Sequence, residues 1–407
     1  MKRTVEPLLD ELLALFPCVA VIGPRQCGKT TLLRELPEPW QRIDLERASD
    51  LSVLAQDPDA FLRLHPSHLA IDEAQLHPPL FAALRVAIDD DRVRNGRYII
   101  TGSSSPELQR NLAETLAGRL AIIEMSPCTF AEVAGRRNDR LLRILTGVEK
   151  PALDSEAFSA SSRQQLLNEY WFEGGYPEPW IRKSARFRKL WKENFTRTYL
   201  ERDLRPLFPN IDAQRFRMFL GLLASVSGTV INQSDLARAL SVSQPTIRDY
   251  LEIAHGTFLW RRLQPYHRNV AKRIVKHPLG HLRDCGLLHH LMHIPNAEAL
   301  ATHIISGRSW QGMITEEILR TLEGEGITFE ASYYRTSAGA EVDLILEGDF
   351  GMVPIEIKRS SHVTARELRP IKDFMEEHPC RLGLVIYGGT RQAWLNENLI
   401  ALPALDL

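Results

Sequence analysis

The chain has 407 residues, 44% hydrophobic and 25% charged, with a formal net charge of −1. This length predicts two to four domains, and the near-neutral balance excludes global attraction to nucleic acid, so any such partner must be held by local basic patches. Five scattered cysteines with no Cys-x-x-Cys pair argue against a disulfide framework or zinc site and for a reducing compartment.

At the start, Leu8, Leu9, Leu12, Leu13 and Leu15 recur at helical spacing. Glu6, Asp10 and Glu11 interrupt the apolar stretch, against a signal peptide, and no run of about eighteen apolar residues occurs, so a cytoplasmic protein without membrane partners is expected. "CVAVIG" reads as a buried strand. It leads into "GPRQCGKTT" (Gly23, Pro24, Arg25, Gln26, Cys27, Gly28, Lys29, Thr30, Thr31), which fits the phosphate-binding pattern G-x-x-x-x-G-K-[ST] ahead of a helix. Glycines let backbone N–H groups curl around anionic oxygens, and the helix N-terminus adds a favourable dipole. Lys29 is expected to bridge the β- and γ-phosphates of ATP, and Thr30 to place its hydroxyl on Mg²⁺. Cys27 is either a thiol that makes the loop sensitive to alkylation or a small filler.

"HLAIDEAQ" is a second strand, ending in Asp72, which can hold Mg²⁺ through water, and Glu73, which can polarise the attacking water. "YIITGSSS" puts Thr101, Ser103 and Ser104 at a third strand end, as γ-phosphate sensors or as ordinary turn formers. Arg119 is a candidate arginine finger or sensor, acting within the chain or across a homo-oligomer; a surface arginine at a helix end is the alternative. Strands alternating with helical stretches such as "LFAALRVAID" predict a parallel sheet covered on both faces.

Residues 146–165 turn polar and read as a linker or lid. An aromatic helical region follows, and then "QSDLARALSVSQPTIRDYLEIAHGTFL", whose Leu236, Ala237, Leu240, Val242, Ile247 and Leu251 suit a helix-turn-helix with Ser234 and Ser243 as N-caps. "LWRRLQPYHRN" would form its wing. Arg248 is offset by Asp249 and Glu252, but the flanks are basic. Residues 182–205 hold nine Lys/Arg against three acids, and residues 261–283 hold seven and no acid. Such patches predict salt-dependent contact with nucleic acid, DNA in the first instance, or else solvated faces.

Near the C-terminus, "EVDLILEGDFGMVPIEIK" reads as a hairpin in which Asp343 approaches Glu356, with Lys358 on the same face as Glu356. Two carboxylates can hold Mg²⁺, and Lys358 would orient or deprotonate the attacking water. A surface hairpin of alternating charges would give the same pattern.

With "GPRQCGKTT", "IDEAQ", "TGSSS", "GGYPEP", "TYLERDL", "DCGLL" and "AEVDLILE…PIEIK" in view, nearly the whole chain resembles the prokaryotic AAA-plus-type ATPases whose C-terminal half is a domain of unknown function. The resemblance implies an α/β protein: a three-layer P-loop ATPase domain (1–145), a helical linker or lid (146–212), a winged helix-turn-helix (213–268) and a C-terminal α/β domain similar to PD-(D/E)xK, restriction-endonuclease-like folds (269–407). In similar nucleases a helix supplies a further acid, which here falls on Glu316, with Glu317 the adjacent alternative. The expected function is ATP hydrolysis at Lys29, Thr30, Asp72 and Glu73, with ATP state controlling a nuclease-like domain. The rivals are an ATP-dependent scaffold with an inactive recognition fold and, more distantly, a small-molecule kinase.

Overall fold

The computed structural model describes residues 1–103, 114–147, 160–204, 208, 211–266, 277–336 and 339–407. Ser104, most of the expected linker and the basic run 267–276 lie outside them. Among the described residues the first sheet contains β1 (Cys18–Gly23), β2 (Gln41–Asp44), β3 (Leu69–Asp72), β4 (Tyr98–Ser103) and β5 (Leu120–Glu124). Their order is β2-β3-β4-β1-β5, and every pairing is parallel. β1 and β3 are buried along their whole length, as strands covered by helices on both faces must be. Alternation divides them between two cores: Val19 and Val21 pack with Val5, Leu9 and Leu32, whereas Cys18, Ala20 and Ile22 pack with Leu54, Leu80 and Leu84. This is the three-layer α/β architecture that the β-α-β rhythm predicted.

The second sheet is mixed and runs through β6 (Thr229–Val230), β7 (Trp260–Pro265), β8 (Leu279–Leu282), β9 (Phe329–Arg335), β10 (Glu341–Gly348), β11 (Gly351–Lys358), β12 (Gly383–Tyr387), β13 (Ala393–Trp394) and β14 (Leu399–Pro403). Its order is β13-β14-β12-β11-β10-β9-β7-β8-β6. The helix Ala213–Ser225 precedes β6, and the helices Gln233–Leu240 and Gln244–Gly256 follow it. Ser243 caps the second of these, but the first is capped by Asn232, whose side chain accepts from the Ser234 and Asp235 N–H groups. Asn232 and Ser234 are both good capping residues, so composition alone did not decide between them.

β8 lies beyond the boundary expected after residue 268, yet it pairs antiparallel with β6 and β7. β7 in turn pairs parallel with β9 through Gln264↔Ser332 and Pro265↔Tyr333. The middle region therefore extends the C-terminal sheet. A similar exchange occurs earlier in the chain: Phe130, Leu141, Ile144 and Leu145, expected within the first domain, pack in the core shared with the C-terminal half. Arg136 also donates to the carbonyls of Leu405 and Leu407. In the reverse direction, Phe258 joins the core under the parallel sheet.

Two of the sequence stretches make one joint. The Asp284 carboxylate caps the helix Cys285–Leu291 through the Leu287 N–H at 2.9 Å and accepts from the Gly175 N–H at 2.8 Å. A Cβ on Gly174 would lie 2.3 Å from Asp284 Oδ1, and one on Gly286 would lie 1.9 Å from the Glu173 carbonyl oxygen. "GGYPEP" and "DCGLL" thus use glycine for close approach.

Candidate functional site

The phosphate loop leaves β1 at its C-terminal end and runs into the helix Lys29–Glu35. Gly28 takes φ +111° at the helix N-cap, and Gln26 is also left-handed at +61°. A Cβ on Gly23 would lie 2.1 Å from the Met125 carbonyl oxygen, so only glycine fits. Lys29 is buried, its Nζ donating to the carbonyls of Gly23 at 3.1 Å and Pro24 at 3.0 Å. Thr30 and Thr31 occupy the first helical turn, and Arg25 reaches Glu46 at 3.3 Å. Cys27 is fully buried among Leu32, Leu33 and Met125, which suits the filler role.

Asp72 ends β3, buried, and accepts from the Thr101 hydroxyl on β4. Glu73, next in the chain, is left-handed at φ +55°, a strained conformation for a residue other than glycine. Its Oε2 accepts from the Ser103 hydroxyl at 3.1 Å, the Ser103 N–H at 3.4 Å and the Gln75 amide. Burial alone would raise the Glu73 carboxyl, but the Lys29 charge and the bonds from Gln75 and Ser103 outweigh it and hold it below the usual range. Ser103 sits with Glu73, and Gln75, whose Nε2 also reaches the Ser103 hydroxyl at 3.1 Å, completes the clamp. Gln75 was not singled out from the sequence, although its place two residues after Glu73 in "DEAQ" was the available signal. Lys29 and the acids are suited to an anionic nucleotide with Mg²⁺: Thr30 and Asp72 as cation partners, Glu73 as the water-polarising group.

Arg119 forms a fork with Asp89, Nε to Oδ1 at 2.8 Å and Nη2 to Oδ2 at 2.9 Å. Arg119 thus lies at the surface in the turn ahead of β5, against Asp89 near the end of the helix Pro79–Asp90.

In the C-terminal sheet, β10 and β11 pair antiparallel with Leu344 opposite Ile355. The adjoining position sets Asp343 across from Glu356 on one face. On its other side β10 carries a bulge, with Asp343 and Leu344 spanning the position opposite Tyr333 between Val342↔Tyr334 and Ile345↔Ser332; bulges commonly re-aim side chains in this way. Asp343 accepts from the Ile357 N–H at 2.7 Å and the Gln311 amide at 3.0 Å, and Lys358 donates to Glu356 Oε1. Burial raises both carboxyls, Asp343 to about 6 and Glu356 to about 8, the latter also because of Asp343. Burial works against the Lys358 ammonium, but Glu356 and Asp343 keep it above its ordinary value, so orienting water fits Lys358 better than deprotonating it. Glu356 Oε2 is buried without a hydrogen-bond partner, an atom a cation would satisfy. Among the described residues no group of three or more His, Cys, Asp or Glu side chains is placed to hold a metal ion. Mg²⁺, which needs only one or two carboxylates when water and phosphate complete its shell, fits this pair.

Glu316 does not join the pair. The helix Ser306–Gly324 brings Gln311 to Asp343, and Glu316, five residues on, points about 140° away at 100° per residue. It is buried with Arg261, Arg283 at 3.2 Å, Arg320 at 3.2 Å and His281 at 3.0 Å. Burial opposes its charge, but the arginines hold it well below the usual carboxylate range. Glu317 accepts from the Phe130 N–H at 2.6 Å and contacts the Tyr170 hydroxyl, and burial pushes it up to about 7. The basic flanks are also partly paired within the chain: Arg261 and Arg283 with the buried Glu316, Lys192 with Glu173, and, at the surface, Arg262 with Glu252 and Arg188 with Glu169.

The parallel sheet, the loop after β1 and the acids after β3 define a P-loop ATPase domain of the AAA class, and the model of the AAA domain matches residues 16–134. Residues 164–298 and 306–407 match two domains of unknown function, DUF8612 and DUF4143. The chain is 32% identical over 405 residues to "Uncharacterized protein Rv2008c" of Mycobacterium tuberculosis and to "Uncharacterized protein Mb2031c" of Mycobacterium bovis, covering 99% of this chain and 83% of each relative. It belongs to their family. Among solved structures, the Walker-type ATPase paby2304 of Pyrococcus abyssi is similar at 15% identity with a TM-score of 0.44, over 70% of this chain and 93% of that one. No described helix is long and apolar enough to cross a membrane.

Proposed function

We propose that the protein is a Mg²⁺-dependent ATPase: Lys29 and the backbone of Gly23–Thr31 bind the phosphates, Thr30 and Asp72 hold the cation, and Glu73 polarises water. The observation that carries this reading is the clamp of Ser103 and Gln75 on the Glu73 carboxylate, at the C-terminal ends of the same parallel strands whose first loop holds the buried Lys29. ATP turnover by the purified protein, lost in Lys29→Ala, tests it; turnover that persists in that variant refutes it.

The same proposal extends to a nuclease-like C-terminal half governed by ATP state, with a winged helix-turn-helix between, and DNA as substrate. Its support is the Asp343, Glu356 and Lys358 cluster with the unpartnered Glu356 oxygen. Asp343 and Glu356 would hold Mg²⁺, which supplies an activated water and charge neutralisation at a phosphodiester. The rival scaffold reading draws on Arg261 and Arg283, which pair with the buried Glu316 instead of facing solvent. Incubation of plasmid, single-stranded and branched DNA with Mg²⁺ or Mn²⁺, with and without ATP, separates the two. Cleavage lost in Asp343→Ala supports the nuclease, and intact DNA under every condition supports the scaffold.

A further inference from the structure

Arg3 lies outside the residues matched by the AAA domain model, yet it touches the phosphate loop. Its side chain is only 9% exposed, and each of its three nitrogens is committed: Nη1 to the Cys27 carbonyl at 2.7 Å, Nη2 to the Ser126 carbonyl at 2.6 Å, and Nε to Glu132 Oε2 at 3.1 Å. Glu132 is fixed in turn, accepting from the Thr4 N–H at 2.6 Å and the Thr129 N–H at 2.9 Å. The contact with the loop leaves little room, since a Cβ on Gly28 would lie 3.3 Å from Arg3 Nη1.

We propose that Arg3 is a positioning residue of the nucleotide site: by pinning the Cys27 carbonyl it sets the Cys27–Gly28 peptide plane, so that the Gly28 N–H faces the phosphate. In a trans peptide the carbonyl and the following N–H point in opposite directions, so fixing one aims the other. Phosphate binding in such loops depends on backbone N–H groups already turned inward, and a guanidinium fork holds an acceptor in one orientation where a lysine would not. The device also ties the loop to the other half of the protein. Ser126, whose carbonyl binds Arg3, accepts through its hydroxyl from Arg283 at 3.2 Å, and Arg283 pairs with Glu316.

This inference rests on the ATP-binding reading, and binding to the full-length chain separates the two. ATP binding by the wild type, lost in Lys29→Ala, establishes the site itself. Arg3→Met, which keeps the stem but removes the donors, is then expected to raise the Kd for ATP by about tenfold or more, the scale of a lost charge-assisted hydrogen bond. Arg3→Lys should fall between Arg3→Met and the wild type. If Arg3 only anchors the N-terminal segment, the variants will lower the Tm of the nucleotide-free protein while binding ATP as the wild type does, and that result overturns the proposal. Should Arg3→Met fail to fold, Arg3→Lys decides the matter alone, because an unchanged Kd in that variant also overturns it.

Discussion

Glu317→Gln should make the protein more stable at alkaline pH and leave it unchanged under mildly acidic conditions. The reason is a proton count. The Tyr170 hydroxyl lies against both the Cys128 carbonyl, at 2.8 Å, and Glu317 Oε1, but it has one proton to give. A neutral Glu317 resolves the conflict by donating to the Tyr170 oxygen while Tyr170 donates to Cys128, and its other oxygen still accepts from Phe130. Burial raises Glu317 from 4.5 to about 7, outweighing the contact with Tyr170, the Arg320 charge and the Phe130 N–H, which act in the other direction. Between those values the folded state binds more protons than the unfolded state, so stability falls as pH rises, and the loss is complete above pH 7. At about 1.4 kcal/mol per unit the full loss is on the order of 3 kcal/mol. Glutamine reproduces the neutral acid, with its amide donating to Tyr170 and its oxygen accepting from Phe130, and cannot ionise. Denaturation of wild type and variant at pH 4.5 and pH 8.5 reads the difference: near zero at the lower pH, and about 3 kcal/mol in favour of Glu317→Gln at the higher. Parallel pH profiles for the two proteins would refute the reasoning.

Glu316→Gln leaves Arg261, Arg283 and Arg320 without their shared counter-charge and should destabilise the fold by about 3–5 kcal/mol in chemical denaturation. Gln75→Ala frees Glu73 from one side of its clamp, so ATP turnover should drop about tenfold while the Kd for ATP holds, a pattern separable by kcat and binding measurements. Cation binding at Asp343 and Glu356 must displace the proton their raised pKa values retain, so Mn²⁺ affinity measured by calorimetry should rise between pH 6 and 8 and be lost in Glu356→Ala.

The elements most readily seen in the sequence were those in which one local pattern set both structure and chemistry. "CVAVIG" followed by "GPRQCGKTT" predicted a strand, a loop and a helix start in order, because glycine positions and apolar runs act over a few residues. The Asp343 and Glu356 hairpin was readable for the same reason: period two fixes the face, and a tight turn fixes the register. The companions brought by distant segments were hidden. Gln311 reaches Asp343 from a helix 32 residues earlier, and nothing local distinguishes it from Glu316, whose fate depends on arginines 33 and 55 residues upstream. The surroundings of the basic flanks were hidden for the same reason, since a local count of arginines does not show that Arg261 and Arg283 point inward to Glu316. Arg3 was invisible as well, because its partners Cys27, Ser126 and Glu132 meet only after the parallel sheet and the region following β5 have assembled.

Glu73 provides the most direct test of the ATPase, because its role divides binding from chemistry. In the presence of Mg²⁺, Glu73→Gln should bind ATP with near wild-type affinity, through Lys29 and the loop, while turnover falls by about a hundredfold or more, the usual scale of a lost water-polarising group. Turnover at the wild-type rate in folded Glu73→Gln would contradict the assignment of this site.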